Sequence, residues 1–355
     1  MSERRVSTVA YGDRMTTPSG TSGSNGMPGE LPPTVPLPAA RTARPQRAAS
    51  PSGSVPLQPL EPAAGSVAAR VLAGVAGVAA AVLVWVVWRY FVGTYDGQRA
   101  DWAAFEGATY GQGRLWRVAE PVLDVVSISF VVLGVGAAMG IALVRRRWAL
   151  AIQVAFLVAG ANVTTQLLKH VVLDRTNLLG TWDSGNTLPS GHTTVAASVA
   201  VALLLVVPRR GRPLTALLGA GYTAATGVST LVGQWHRPSD VIAAVLVVLA
   251  WTGIVLAFTP ASGLDRVSPS EPTVGAGSWT TAVLLWVGGG AALAGAGLAL
   301  ERVLAAAPWQ EPQTVAYVGG AFGVIGCTAV AFGLMLVLRQ ATGHPGAAAQ
   351  VARHQ

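Results

Sequence analysis

Lys169 is the one lysine among 24 basic side chains, and it stands with Arg175 at the end of a long apolar run. An ammonium is a compact point charge and a guanidinium is a planar fork that takes two oxygens at once, so the pair suits a phosphoryl group. Taken alone, both side chains could equally snorkel from a membrane span to its interface. A second stretch, Leu188-Pro189-Ser190-Gly191-His192-Thr193-Thr194, leads from a polar loop into an apolar segment. Ser190 is a natural N-cap, and the amides of Gly191 and His192 would then point out of a helix start, which is a ready anion site. An ordinary capped helix entry accounts for Pro189, Ser190 and Gly191 but not for an imidazole at His192. A third stretch, Gly233-Gln234-Trp235-His236-Arg237-Pro238-Ser239-Asp240, sets His236 and Asp240 four apart. On a helix they share a face, and the carboxylate can hold one ring nitrogen while the other acts as a nucleophile. Pro238 is compatible with a first helical turn, and the competing reading is a structural His and Asp pair capping the segment that follows.

Two histidines with different neighbours suit a two-step phosphoryl transfer, in which one attacks phosphorus and the other protonates the leaving oxygen. Cationic side chains and helix amides then stabilise the equatorial oxygens. The sequence shows no acidic cluster, so this chemistry is expected to need no cofactor and to run without Mg²⁺ or Zn²⁺. The lone cysteine, Cys327, offers neither an intrachain disulfide nor a cysteine metal cluster.

The elements that must position these groups are membrane helices. Of 355 residues, 52% are hydrophobic and 11% charged, against about 25% charged in soluble domains. Apolar runs of about 20 residues recur, each long enough to cross a hydrocarbon core of about 30 Å. Eight candidate spans cover about 68–92, 119–144, 148–172, 192–207, 214–232, 239–259, 277–300 and 314–338. The excess of basic residues does not indicate nucleic acid, because the arginines concentrate in short loops. Arg145, Arg146 and Arg147 follow the second span, and Arg209, Arg210 and Arg212 follow the fourth. Both loops are expected to be cytoplasmic, with both termini on that side and the C-terminal tail carrying Arg353. The three polar stretches then fall together on the opposite, extracytoplasmic side, a result the charge rule gives without reference to the motifs. Residues 1–66, rich in Pro, Ser, Gly and Arg, read as a disordered tail. Gly319 and Gly323 are four apart and read as a helix-packing face. Trp235 reads first as an anchor at the membrane interface and second as a lining of the site entrance, and Asp124 reads as a charge paired inside the bundle. Asp174 and Asp183 read as solvated.

With these residues in view, the chain resembles the type 2 phosphatidic acid phosphatase superfamily, over about residues 68–259. Pro189-Ser190-Gly191-His192 is similar to that family's second motif. The resemblance implies His192 as general acid, His236 as the nucleophile of a phosphohistidine and Asp240 as the group that orients it. It implies Lys169, Arg175, Ser190 and the Gly191 amide as phosphate ligands. Two departures stand out. The interval from Lys169 to Arg175 is one residue shorter than usual, with Thr176 where proline usually follows. The third motif reads Ser229-Thr230 where the family has serine-arginine, and Arg237 is the candidate to supply that lost charge.

The expected fold is an all-α, polytopic transmembrane bundle: a tail over 1–66, a six-helix phosphatase-like core over 67–260, two further helices over 261–340 and a short tail over 341–355. The expected function is hydrolysis of lipid phosphate monoesters or pyrophosphates, of the polyprenyl pyrophosphate or phosphatidate kind. The substrate and the membrane lipids are the partners, with no nucleic acid. Two alternatives stand beside it: a phosphotransferase using the same intermediate, and a non-catalytic membrane binding or transport protein with a degenerate pocket.

Overall fold

Apolar runs of this length satisfy their backbone internally only as helices when water is absent, and the regular elements among the described residues are all helical. The computed structural model describes residues 66–345, except 110–111, 114–116, 118, 122–127, 145, 181–184, 268–270, 308–309 and 311. The tail up to residue 65, Asp124, Arg145, Asp183 and the end of the chain with Arg353 lie outside the described residues. We number the helices α1 (Val67–Phe91), α2 (Tyr95–Gly107), α3 (Ile128–Val144), α4 (Trp148–Leu167), α5 (Gly191–Val206), α6 (Arg212–Val232), α7 (Pro238–Ala257), α8 (Ala276–Ala305) and α9 (Gln313–Gly343).

Each candidate span coincides with a helix, although the second is described as a helix only from Ile128 onward. By length and composition, five helices can cross a membrane: α1, α4 with its extension to Val172, α7, α8 and α9. The others fall short for visible reasons. Helix α3 has 17 residues and α5 has 16, and α6 carries Thr215, Thr223, Thr226, Ser229 and Thr230 along its length.

Helix α7 is the axis of the bundle, packing against α1, α4, α5 and α9. It touches α1 backbone to backbone: a Cβ on Gly253 would come within 2.5 Å of the Ala73 carbonyl and of Gly77 Cα, so only glycine permits the approach. Helix α9 is no outlying addition, since it packs on α2, α6, α7 and α8. Gly319 abuts Ala299 of α8, where an added Cβ would lie 2.4 Å from the alanine methyl.

Helix α2 was not expected from the apolar pattern. Thr94 caps it by accepting from the Gly97 amide at 3.0 Å, and Asp96 sits favourably in the first turn. Its buried face of Gly97, Gln98, Ala100, Asp101 and Ala104 recurs at helical spacing. Gln98 fastens it to the first polar stretch, donating to the Thr176 carbonyl at 2.6 Å and accepting from the Leu178 amide at 3.1 Å.

One end of the bundle is held by a buried carboxylate. Asp265 accepts a two-pronged bond from Arg212, both prongs at 2.7 Å, and lies 3.6 Å from Arg147 and 3.8 Å from Arg339. These groups come from the start of α6, the loop before α4 and the last turns of α9. One acid thus ties three helix ends. The arginine charges and the Arg212 bond hold the Asp265 carboxyl below its ordinary value although burial pushes it up.

Candidate active site

The three polar stretches sit at the end of the bundle opposite Asp265, because α4 and α6 finish there and α5 and α7 begin there. Helix α4 loosens into a π-helical turn over Leu168–Val172, closed by the Leu173 amide on the Leu168 carbonyl at 3.0 Å. Such turns favour functional positions, and this one carries Lys169, which is half-buried. Asn186 then binds the end of the first stretch to the second. Its amide nitrogen donates to the Lys169, Leu173 and Leu188 carbonyls at 3.3, 2.8 and 3.1 Å.

Ser190 is the N-cap of α5, fully buried, and its hydroxyl accepts from the Thr193 amide and hydroxyl at 3.4 and 3.1 Å. Its own amide donates to the Asp240 carbonyl at 2.9 Å, which joins the second stretch to the third. The space over Gly191 is open: an added Cβ would meet only the Gln166 side chain, at 3.9 Å. His192 is exposed at this helix start, with its ring centroid 5.4 Å from that of the exposed Trp235.

His236 and Asp240 meet, but not across a helical turn. Helix α7 begins at Pro238 with Arg237 as N-cap, so His236 precedes the helix and Asp240, in the first turn, reaches back past the cap. Proline at the first helical position fixes this start, since it has no amide to continue a helix from upstream. The Asp240 Oδ2 lies 3.1 Å from His236 Nδ1, accepts from the Arg237 amide at 3.0 Å and from the Thr187 hydroxyl at 2.7 Å. Both His236 and Asp240 are buried. Lys169, His192, His236 and Asp240 lie close enough for their charges to interact.

The two arginines are held on the α2 side. Arg175 Nη2 is 4.0 Å from Asp101 Oδ2. The Arg237 guanidinium bonds to the Thr187 hydroxyl at 3.1 Å and lies over the rings of Trp102 and Phe105, at 5.4 and 5.7 Å from their centroids. Asp101 is fully buried and takes both donors of Ser239. Burial, and next the charge of Asp240, push the Asp101 carboxyl up to about 6. Thr230, at the departure from the family pattern, is buried and donates its hydroxyl to the Gly227 carbonyl at 2.7 Å. Its own carbonyl accepts from the Trp235 and His236 amides at 3.0 and 3.3 Å, which shapes the turn before the imidazole.

All eight residues singled out in the sequence are therefore brought to one end, four of them as a close charge cluster and two along α2. Asp101, Trp102, Phe105 and Thr187 were missed. Only the unexplained acid in a polar segment between spans, Asp101, gave any signal beforehand. Asp174 is exposed. Among the described residues, no three His, Cys, Asp or Glu side chains are grouped to hold a metal ion.

Comparison with known proteins bears on this geometry. Residues 150–264, about a third of the chain, match the model of the PAP2 superfamily. That stretch is similar to the PAP2 superfamily. It runs from α4 to just beyond α7 and contains all three polar stretches. Among curated proteins, none matches the chain. A solved structure, the first transmembrane PAP2 type phosphatidylglycerolphosphate phosphatase from Bacillus subtilis, is similar at 19% identity with a TM-score of 0.44, covering 52% of this chain and 95% of its own. Helices α8 and α9 lie beyond the matched residues.

Proposed function

We propose that the protein hydrolyses lipid phosphate monoesters or pyrophosphates at the extracytoplasmic end of the bundle, through a phosphohistidine on His236. The observation that carries this reading is the 3.1 Å contact between His236 Nδ1 and an Asp240 oxygen that also takes the Thr187 hydroxyl and the Arg237 amide. A carboxylate so held orients the ring and stabilises its cationic form, and leaves Nε2 as the nucleophile. Nε2 attacks phosphorus while the bond to the leaving oxygen breaks, and protonated His192 gives that oxygen its proton. Water then attacks phosphorus, the P–N bond breaks, and His192 takes the proton back from the water. Lys169, Arg175 and the Ser190–Gly191 helix start supply positive potential for the oxygens. Arg237 braces Asp240 through Thr187 in the present arrangement, with its own charge beside the site.

The test is phosphate release from a panel of prenyl and glycerolipid phosphates by wild type, His236→Ala and His192→Ala. Equal rates in all three reject the mechanism, and strong loss of wild-type activity on chelation rejects metal independence. One observation favours a second reading, a binding protein without turnover: the Thr230 side chain is folded back onto its own helix, so the phosphate ligand set lacks one cation at that position. Binding of labelled lipid phosphate with no release of phosphate supports that alternative.

A further inference from the structure

A crevice of about 180 Å³ lies between α2, α7, α8 and α9, at the same end of the bundle as the histidines. Its walls are apolar, from Phe91, Ala100, Ala104, Ile242 and Leu293 to a run of glycines on α8 and α9, and its only polar lining among the described residues is Asp101 with Ser239. Those two already satisfy each other, by bonds of 3.1 and 2.6 Å. Water needs two to four polar partners to stay in a cavity, so this space is dry. A dry gap also leaves its walls without dispersion partners. The space is slightly larger than an engineered apolar cavity of about 150 Å³ that takes benzene. Three of its four walls, α7, α8 and α9, are helices long and apolar enough to span a membrane. Around helices of that kind a membrane supplies hydrocarbon.

We propose that this crevice seats one acyl chain of a bilayer lipid, which packs α2 against α7 and α9 and so backs the Asp101–Ser239 contact beside His236 and Asp240. Asp101 and Ser239 stand between the crevice and Arg175, so the seated chain is a structural lipid and not the reacting end of a substrate. The site is independent of the hydrolase reading, because occupancy requires no turnover.

Gly297 lines the crevice, and a Cβ there meets nothing within 4 Å. Gly290 on the same helix also meets nothing within 4 Å but lies outside the crevice. The experiment is photolabelling of the purified full chain in vesicles of phosphatidylcholine carrying a diazirine on its acyl chain, with the labelled residues located by mass spectrometry. The expected result is label on Ala100 and Ala104 of α2 and on residues 316–323 of α9, reduced at least fivefold in Gly297→Phe and unchanged in Gly290→Phe. Ala100 and Ala104 are 6% and 4% exposed, so their labelling in wild type alone reports entry of a chain into the crevice, even if Gly297→Phe fails to fold. Label confined to outward faces, label insensitive to Gly297→Phe in a folded protein, or protein-to-protein crosslinks at these positions would overturn the proposal. Crevice label with no phosphate release would sink the hydrolase reading and leave this one standing, and phosphate release with no crevice label would do the reverse.

Discussion

Ser239 donates its amide to one oxygen of Asp101 at 3.1 Å and its hydroxyl to the other at 2.6 Å. This contact joins α2 to the first turn of α7, one residue from the carboxylate that holds His236. The Asp101 carboxyl is pushed up from 3.8 to about 6, first by burial and then by Asp240. Between those values the folded chain binds a proton that the unfolded chain has lost, so stability falls as pH rises through this window. Asp101→Asn has no such proton. The melting temperature of the wild type relative to Asp101→Asn should therefore decline from pH 4 to pH 7, and parallel curves for the two proteins would remove Asp101 as the source.

His236→Ala should lower phosphate release by at least about a thousandfold, because it deletes the nucleophile. His192→Ala should cost about 10² to 10⁴, and much less on a substrate whose leaving group needs no proton, such as an aryl phosphate. Rates on prenyl and aryl phosphates separate the two roles. If His192→Ala is equally impaired on both, His192 is not the acid.

Thr187 sits between Arg237 and Asp240, donating to the carboxylate and accepting from the guanidinium. Thr187→Val keeps the shape and removes both bonds, and should lower kcat roughly tenfold with little change in KM. Arg237→Ala should lower kcat similarly if the arginine acts only through Thr187, and should also raise KM if it meets the phosphate. Steady-state kinetics of both variants decide, and an Arg237→Ala protein with wild-type kcat and KM takes Arg237 out of the site.

The parts of this site that were legible in the sequence are those where an unusual residue type interrupts an apolar pattern: Lys169, His192 and His236 each stand at the edge of a run. The five helices long and apolar enough to cross a membrane were legible from hydropathy, whereas the other three expected spans proved too short or too polar to qualify. Helix α2 was not legible, because its mean composition is polar and only six buried positions report the helix. Asp101 and Trp102 went unseen with it. Thr187 carries no signature at all, since a threonine in a loop becomes a ligand of Asp240 only through the fold. The His236–Asp240 pair was found by spacing, but the spacing argument assumed a helical turn that Pro238 denies to His236.

At the other end, Arg212 grips Asp265 with two bonds of 2.7 Å, and both are buried. Removing one partner of such a pair costs about 3–5 kcal/mol because the remaining charge stays buried. Asp265→Asn should therefore lower the melting temperature by on the order of 10 °C and leave KM unchanged in the protein that remains folded. Since Asp265 is held below its ordinary value of 3.8, its contribution is present above that pH and is lost as pH falls through the lower, folded value. Calorimetry of the variant checks this, and an unchanged melting temperature would show that the arginines find other partners.

The reaction as proposed requires the three stretches to open on one side of the membrane and the arginine loops on the other. Helices α4 and α6 end at the site and begin at the Asp265 end, so a single orientation serves both. Replacing the half-buried Cys327 by serine and introducing cysteine at Trp235, which is 45% exposed, gives a reporter for the site. Cysteine at the exposed Arg210 gives one for the opposite end. In sealed cells an impermeant maleimide should label the first and spare the second until the membrane is opened. Labelling of both from outside would mean that the arginine loops do not set the orientation, and labelling of Arg210→Cys alone would place the histidines in the cytoplasm.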